Sequence, residues 1–177
     1  QIIYHVYWYG KLDRKQLLCI NSYLATQNLN RTKLWIWLDY LTYSDSNKEI
    51  IPKHKNIEIK KYTPEQEAKE TLFENKSFIN EIKFIKFRSD LARVIILYKY
   101  GGLYYDLDMI LLKDLMCLLN LEFCYAWSKL KHGNNGILRL KKQSDNCKQI
   151  MNKYLQSNEK FRNHFNQYIL TDDINMY

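Results

Sequence analysis

The chain has 177 residues, a length that fits one domain. Hydrophobic residues make up 46% and charged residues 26%, which excludes global disorder, and only two prolines and five glycines exclude collagen-like and linker-rich classes. The formal net charge of +8 admits nucleic acid, an anionic membrane or a phosphorylated substrate as partner.

The first predicted element is the β-branched and aromatic run Ile2-Ile3-Tyr4-His5-Val6-Tyr7-Trp8-Tyr9, a buried strand that stops at Gly10. Asp13 then opens a helix whose apolar positions Leu17, Leu18, Ile20, Tyr23 and Leu24 recur at spacings of three and four. Leu34–Leu38 reads as a second buried strand ending at Asp39, residues 40–56 as a polar loop, and Ile57–Lys61 as an alternating third strand. Pro64 suits the first position of a helix running through Glu70. Phe84–Tyr100 is helical in pattern, with Leu91, Val94, Ile95 and Tyr98 in one stripe, and Gly101-Gly102 ends it. A strand over Leu103–Leu112, short strands at Glu122–Trp127 and Gly136–Leu140, and helices at about 144–157 and 159–169 complete the chain. Strands alternating with helices predict an α/β architecture: about six mostly parallel strands with helices on both faces.

Several classes lose support on spacing. No apolar run approaches the roughly 18 residues of a membrane helix, since Arg93 and Lys99 bracket Val94–Leu97. Cys19, Cys117, Cys124 and Cys147 lack CxxC spacing, so they read as free thiols in a reducing compartment, which points to the cytoplasm. An anchor upstream of Gln1, which is not a native start, would instead place the domain in a secretory lumen. His54, His132 and His164 have no ligand spacing and read as surface residues, while Trp35 and Trp37 read as core. Net charge and aromatics leave a basic nucleic-acid-binding domain as the last-ranked reading, but the best-defined site is acidic and Lys53–Lys61 reads as a solvated face, so no nucleic-acid partner is expected, although Lys129, Lys131 and His132 could close over an anionic ligand.

The chemistry concentrates in Tyr104-Tyr105-Asp106-Leu107-Asp108. On the predicted strand successive side chains alternate, so Tyr104, Asp106 and Asp108 share one face. Two carboxylates there are costly unless solvated, paired or bound to a cation, and Mg²⁺ or Mn²⁺ would take them together with phosphate oxygens. Asp90 and Arg93, three apart on the preceding helix, share a face, either as a surface ion pair or as a carboxylate and guanidinium presented to a ligand.

The run Ser89-Asp90-Leu91-Ala92-Arg93, continued by Tyr100-Gly101-Gly102-Leu103-Tyr104-Tyr105-Asp106-Leu107-Asp108, resembles the signature S-D-x-x-R…Y-G-G-x-Y-x-D-x-D. That signature marks the sugar-binding region of D-x-D glycosyltransferases, the initiating α-mannosyltransferase-like family with clostridial glucosylating toxins as distant relatives. Ile3–Gly10 resembles the family's opening strand, and Asn134-Asn135-Gly136-Ile137 its later N-N-G strand. The resemblance implies a GT-A fold and a metal-dependent, retaining transfer from a nucleotide-diphosphate sugar, UDP-linked by preference and GDP-mannose next, to a glycan or protein acceptor. It implies Mn²⁺ or Mg²⁺ held by Asp106 and Asp108, and a base stacked on Trp8 or Tyr7, with His5 supporting the strand. Asp90 and Arg93 would hold sugar hydroxyls and phosphate, Tyr104 would touch the diphosphate, and Asn134 and Asn135 would join the donor site. Residues 1–177 are expected to form a single glycosyltransferase domain, minimal or truncated, because no G-P-x-x-x-T-like segment follows; Asp172 and Asp173 read as a solvated terminus. That missing segment also keeps a second reading open, a catalytically weak nucleotide-sugar-binding module.

Overall fold

The computed structural model describes residues 1–81, 85–126, 133–156 and 175–176. Strands β1 (Ile2–Trp8), β2 (Thr32–Asp39), β3 (Ile57–Tyr62), β4 (Gly102–Tyr105), β5 (Phe123–Ala126), β6 (Gly133–Leu140) and the two-residue β7 (Asn175–Met176) form one sheet in the order β3-β2-β1-β4-β6-β5-β7. β1 pairs parallel with both β2 and β4, and β2 with β3, whereas β6 runs antiparallel to its neighbours β4 and β5. Helices α1 (Arg14–Thr26), α2 (Asp45–Ile50), α3 (Pro64–Ala68), α4 (Phe78–Glu81), α5 (Ile85–Tyr100) and α6 (Asp145–Gln156) connect them. The expected mostly parallel α/β sheet is present.

Strand alternation sorts the core into two layers. Tyr4 and Val6 of β1, Leu34, Ile36 and Leu38 of β2, and Leu103 and Tyr105 of β4 pack with Ile20 and Tyr23 of α1. Tyr7, Trp37 and Tyr104 turn to the opposite face and pack with Leu91, Val94, Ile95 and Tyr98 of α5 and Ile150 and Tyr154 of α6. Helices therefore cover both faces. Trp37 is core, and Trp35 packs edge-on against it with Lys60 over its outer ring.

Three segments depart from the sequence expectations. Within residues 40–56, Ser44 caps α2, and buried Asn47 accepts from Leu12 N–H and donates to Gly10 O; the helix is held by polar contacts and so shows no apolar periodicity. The helix at Pro64 stops at Ala68, and Glu70 adopts a positive φ of 64° that turns the chain so that Phe73 is buried. The strand after Gly102 ends at Tyr105, because Asp106 to Met109 form a turn closed by Met109 N–H on Asp106 O at 3.0 Å. The predicted helix over 159–169, together with Trp127, Lys129, Lys131, His132, His164, Asp172 and Asp173, lies outside the described residues.

The chain builds β1, β2 and β3 outward and then crosses back to place β4 on the other side of β1, so the sheet has its topological switch between β1 and β4. Ligands of open α/β sheets bind at the carboxyl ends of strands at such a switch. β6 is antiparallel to β4, so its start, Gly133–Gly136, comes to the same edge. α5 precedes β4 through a reversal at Gly101 and Gly102, with φ of +66° and +112°, and a side chain at Gly102 would strike Ile3 O and the His5 ring.

His5 fixes that reversal. It is fully buried, its Nε2–H donates to Gly101 O at 2.8 Å, and its Nδ1 accepts from Trp37 Nε1–H at 3.1 Å. A second ring proton would face the Trp37 donor, and burial pushes the imidazole pKa down to about 3 from 6.5. Because the folded-state pKa is depressed, the stability that neutral His5 contributes is complete above pH 6.5 and is lost as pH falls toward 3. The urea midpoint of the wild type should therefore fall between pH 7 and pH 4, and that slope should be shallower in His5→Gln, whose side chain does not titrate.

Candidate active site

At the switch edge the structure opens a cavity of about 600 Å³. Tyr7, Trp8 and Tyr9 at the end of β1 form one wall, Lys86, Ser89, Asp90 and Arg93 of α5 a second, Asp106 to Met109 the floor, and Tyr125, Asn134 and Asn135 the remaining side. The expected site residues thus converge on one edge, with Tyr104 directly behind it.

Arg93 organises the back of the site. Its side chain is 4% exposed, and NH2 lies 3.2 Å from Asp90 Oδ1 and 3.1 Å from Asp106 Oδ1. NH1 donates to both Asn135 O and Asn135 Oδ1 at 2.7 Å, while Nε and NH2 donate to Ser89 O and Ser89 Oγ. The Tyr104 ring lies under the guanidinium, 4.6 Å from its carbon. Burial opposes the charge, but Tyr104, Asp106 and Asp90 outweigh it and hold the guanidinium pKa above its ordinary value.

Two expectations for this pair are corrected. The Asp90–Arg93 pair is not a surface pair, because α5 faces the sheet at this turn. Nor does Arg93 present a free fork to a phosphate: a guanidinium has five N–H donors, and the internal partners occupy them. Tyr104 is likewise fully buried, with its hydroxyl 3.2 Å from Ser89 Oγ, so it supports Arg93 from below and stays out of the cavity where a diphosphate would lie.

The two carboxylates of the D-x-D differ. Asp106 leaves β4 with its side chain one-third exposed, one oxygen on Arg93 and the other beside Gly136, where a Cβ would come within 3.1 Å of it. Burial pushes the Asp106 carboxyl pKa up, Arg93 pulls it down, and Asp108 and Asp90 add to the rise. Asp108 is exposed in the turn and forms no ion pair among the described residues. The strand geometry expected for this trio fails because β4 ends before Asp106, yet both carboxylates still line the cavity.

Tyr7 is not a stacking platform. It is 3% exposed, its hydroxyl donates to Asp39 Oδ2 at 2.5 Å, and its ring meets Tyr62 edge-on. Trp8 is half-buried with Nε1–H on Lys11 O at 3.1 Å, and Trp8 and Tyr9 are the aromatic walls. Asn135 is buried and braces Asp90 through an Nδ2–H donation of 3.0 Å, whereas half-buried Asn134 lines the cavity and accepts from Gly136 N–H.

Sequence reasoning missed Asp39 and Arg88. Asp39, fully buried at the end of β2, accepts from Arg88 at 2.7 Å, from Tyr7 and from Leu41 N–H, tying the start of α5 to the sheet beside the cavity. The available signal was a charged residue closing a fully apolar strand. Lys86, Tyr9 and Tyr125 were missed because nothing local distinguishes a cavity lysine or tyrosine from a surface one.

Among the described residues no group of three or more His, Cys, Asp or Glu side chains could hold a metal ion. Asp106 and Asp108 do fit a hard cation that takes one or two carboxylates and completes its shell with phosphate and water, and glycine at 136 keeps the space beside the Asp106 oxygen open.

Residues 22–125 match the family described as "Glycosyltransferase sugar-binding region containing DXD motif". No curated protein matches the chain. Among solved structures, the PaToxG glycosyltransferase superposes with a TM-score of 0.61 at 14% identity, covering 98% of this chain and 67% of that one. An active-site mutant of LgtC superposes with a TM-score of 0.58 at 14% identity, covering 99% of this chain and 72% of that one. The fold is that of these GT-A-type proteins.

Replacing the hub tests its weight. Arg93→Met leaves Asp90 and Asp106 facing each other without a counter-charge, and urea titration should show a loss of about 3–5 kcal/mol. A surface pair would cost less than about 1 kcal/mol.

Proposed function

The chain belongs to the glycosyltransferase family defined by a DXD-containing sugar-binding region, and on that premise we propose that it transfers a sugar from a nucleotide-diphosphate donor, UDP-linked by preference and GDP-mannose next, to a glycan or protein acceptor. The observation that carries this reading is the pairing of Asp106 and Asp108 at the floor of a cavity of about 600 Å³ backed by the Arg93 network. Asp108, exposed and without an ion pair among the described residues, and the Asp106 oxygen beside Gly136 would hold Mn²⁺ or Mg²⁺. Bound there, the cation would neutralise charge developing on the departing diphosphate.

The protein's own residues have separable tasks. Trp8 and Tyr9 supply flat surface for the nucleoside end, and Lys86 adds positive charge at the mouth. Asp90, held by Arg93 and Asn135, presents a fixed acceptor toward sugar hydroxyls. Retention by front-face displacement suits this set. Asp90, Asp106 and Asp108 are the acidic residues lining the cavity, and each has another role, so none stands out as a covalent nucleophile. Cys19, Cys117, Cys124 and Cys147 are free thiols, in keeping with the cytoplasmic placement that we include in the proposal.

The test is donor hydrolysis and transfer, followed against Mn²⁺ concentration for UDP-sugars and GDP-mannose. Wild-type turnover should vanish on chelation, and Asp108→Asn should reduce it about 100-fold or more while the protein stays folded by circular dichroism. Metal-dependent stabilisation by donor without turnover would move the case to a donor-binding module. Turnover that survives chelation would overturn the metal assignment.

A further inference from the structure

Beside its apolar stripe, α1 carries a line of small polar side chains: Cys19, Ser22 and Thr26, continued by Gln27 at the C-cap. These positions stand at i, i+3, i+7 and i+8, along one face. Each meets the backbone of the segment that begins at the D-x-D turn. Cys19 Sγ–H donates to Leu107 O at 2.8 Å, Ser22 Oγ accepts from Leu111 N–H at 3.0 Å, and Thr26 Oγ1, whose proton goes to Ser22 O at 2.7 Å, lies 3.4 Å from Leu111 O. Gln27 donates to Lys113 O at 2.9 Å and accepts from Leu115 N–H at 3.1 Å. Cys19, Ser22 and Gln27 are all buried.

Residues 106–115 contain neither strand nor helix, so their backbone groups lack a ladder of their own. Apolar packing holds only part of the segment: Leu107 and Leu111 are buried, while Ile110 and Leu112 are 48% and 81% exposed. The helix side chains supply the missing partners. The contact nearest the site falls on the carbonyl between the two aspartates, whose peptide plane sets where the Asp108 Cα stands relative to Asp106.

We propose that the polar stripe of α1 positions the D-x-D turn, and that Cys19 is a positioning residue whose contact with Leu107 O sets the separation of the two cation-binding carboxylates. The proposal rests on the glycosyltransferase reading. A cation held by only two protein ligands depends on their spacing, and loss of an outer hydrogen-bond partner typically weakens metal affinity by about 10-fold or more.

The experiment compares wild type, Cys19→Ala and Cys19→Ser. In Cys19→Ala the Mn²⁺ concentration for half-maximal donor turnover should rise about 10-fold, with a smaller fall in turnover at saturating Mn²⁺. Cys19→Ser, which keeps a donor, should recover most of the difference. Independently of activity, amide exchange at Met109 and Leu111 in the metal-free protein should be faster in Cys19→Ala than in Cys19→Ser. If Cys19→Ala does not fold, Ser22→Ala replaces it, with faster exchange at Leu111 as the expected result. An unchanged Mn²⁺ requirement despite a lowered melting temperature, or a serine variant as impaired as alanine, would overturn the proposal. A wild type without turnover would sink the catalytic reading instead, and turnover that survives chelation the metal assignment alone; in either case exchange would still decide the positioning: faster in the alanine variant supports it, unchanged overturns it.

Discussion

One buried guanidinium fixes the relation between a helix, a turn and a strand. Arg93 comes from α5, Asp106 from the turn after β4, and Asn135 from the start of β6, and the last two both lie within hydrogen-bonding reach of the Arg93 guanidinium. Burying such a charge is costly unless its partners stand in good geometry, so the arrangement of the three elements is strongly mutually constrained. Tyr104 beneath the guanidinium plane and Ser89 at its edge complete the surround. The back wall of the cavity is therefore a set of interlocked polar contacts, and the residues that face ligand inherit their positions from it.

The sheet makes that meeting possible. α5 must reverse into β4 within two residues, and the glycines permit it where a side chain at 101 would strike Lys142 and one at 102 would strike β1. His5 then ties the reversal to β1 and Trp37 ties His5 to β2, so the central strands and the helix share one hydrogen-bonded seam. At the other end of α5, Arg88 and Asp39 do the same between helix and β2. α5 is pinned at both ends, with its active-site turn in between.

The D-x-D turn is held from opposite sides of the sheet. Asp106 is drawn toward α5 by Arg93, and the next residue, Leu107, turns toward α1 and is held there through its carbonyl. Asp108 remains exposed at the cavity floor. A carboxylate left free by a backbone that is fixed suits a ligand-binding group: the peptide is ordered before binding, and the side chain keeps its charge for the ligand.

Much of this could be read before folding. The β-branched and aromatic runs marked β1, β2 and β3, the stripe Leu91-Val94-Ile95-Tyr98 marked the buried face of α5, and the spacing of Asp90, Arg93, Asp106 and Asp108 marked the site, because period, capping and covalent spacing are local properties. The helix α2 stayed hidden because polar side chains hold it, and the end of β4 at Tyr105 because the turn closed by Met109 N–H on Asp106 O falls in a stretch whose apolar-polar alternation reads as strand. By itself the sequence determined that Asp90, Arg93, Asp106 and Asp108 stand on adjoining segments and which elements bear them. Only the tertiary structure decided that the Arg93 donors go to internal partners, that Tyr104 lies behind the cavity, that Tyr7 serves Asp39, and that α1 bonds the D-x-D turn. Those roles depend on which donors are already occupied by partners distant in sequence, and occupancy exists only once the chain has folded.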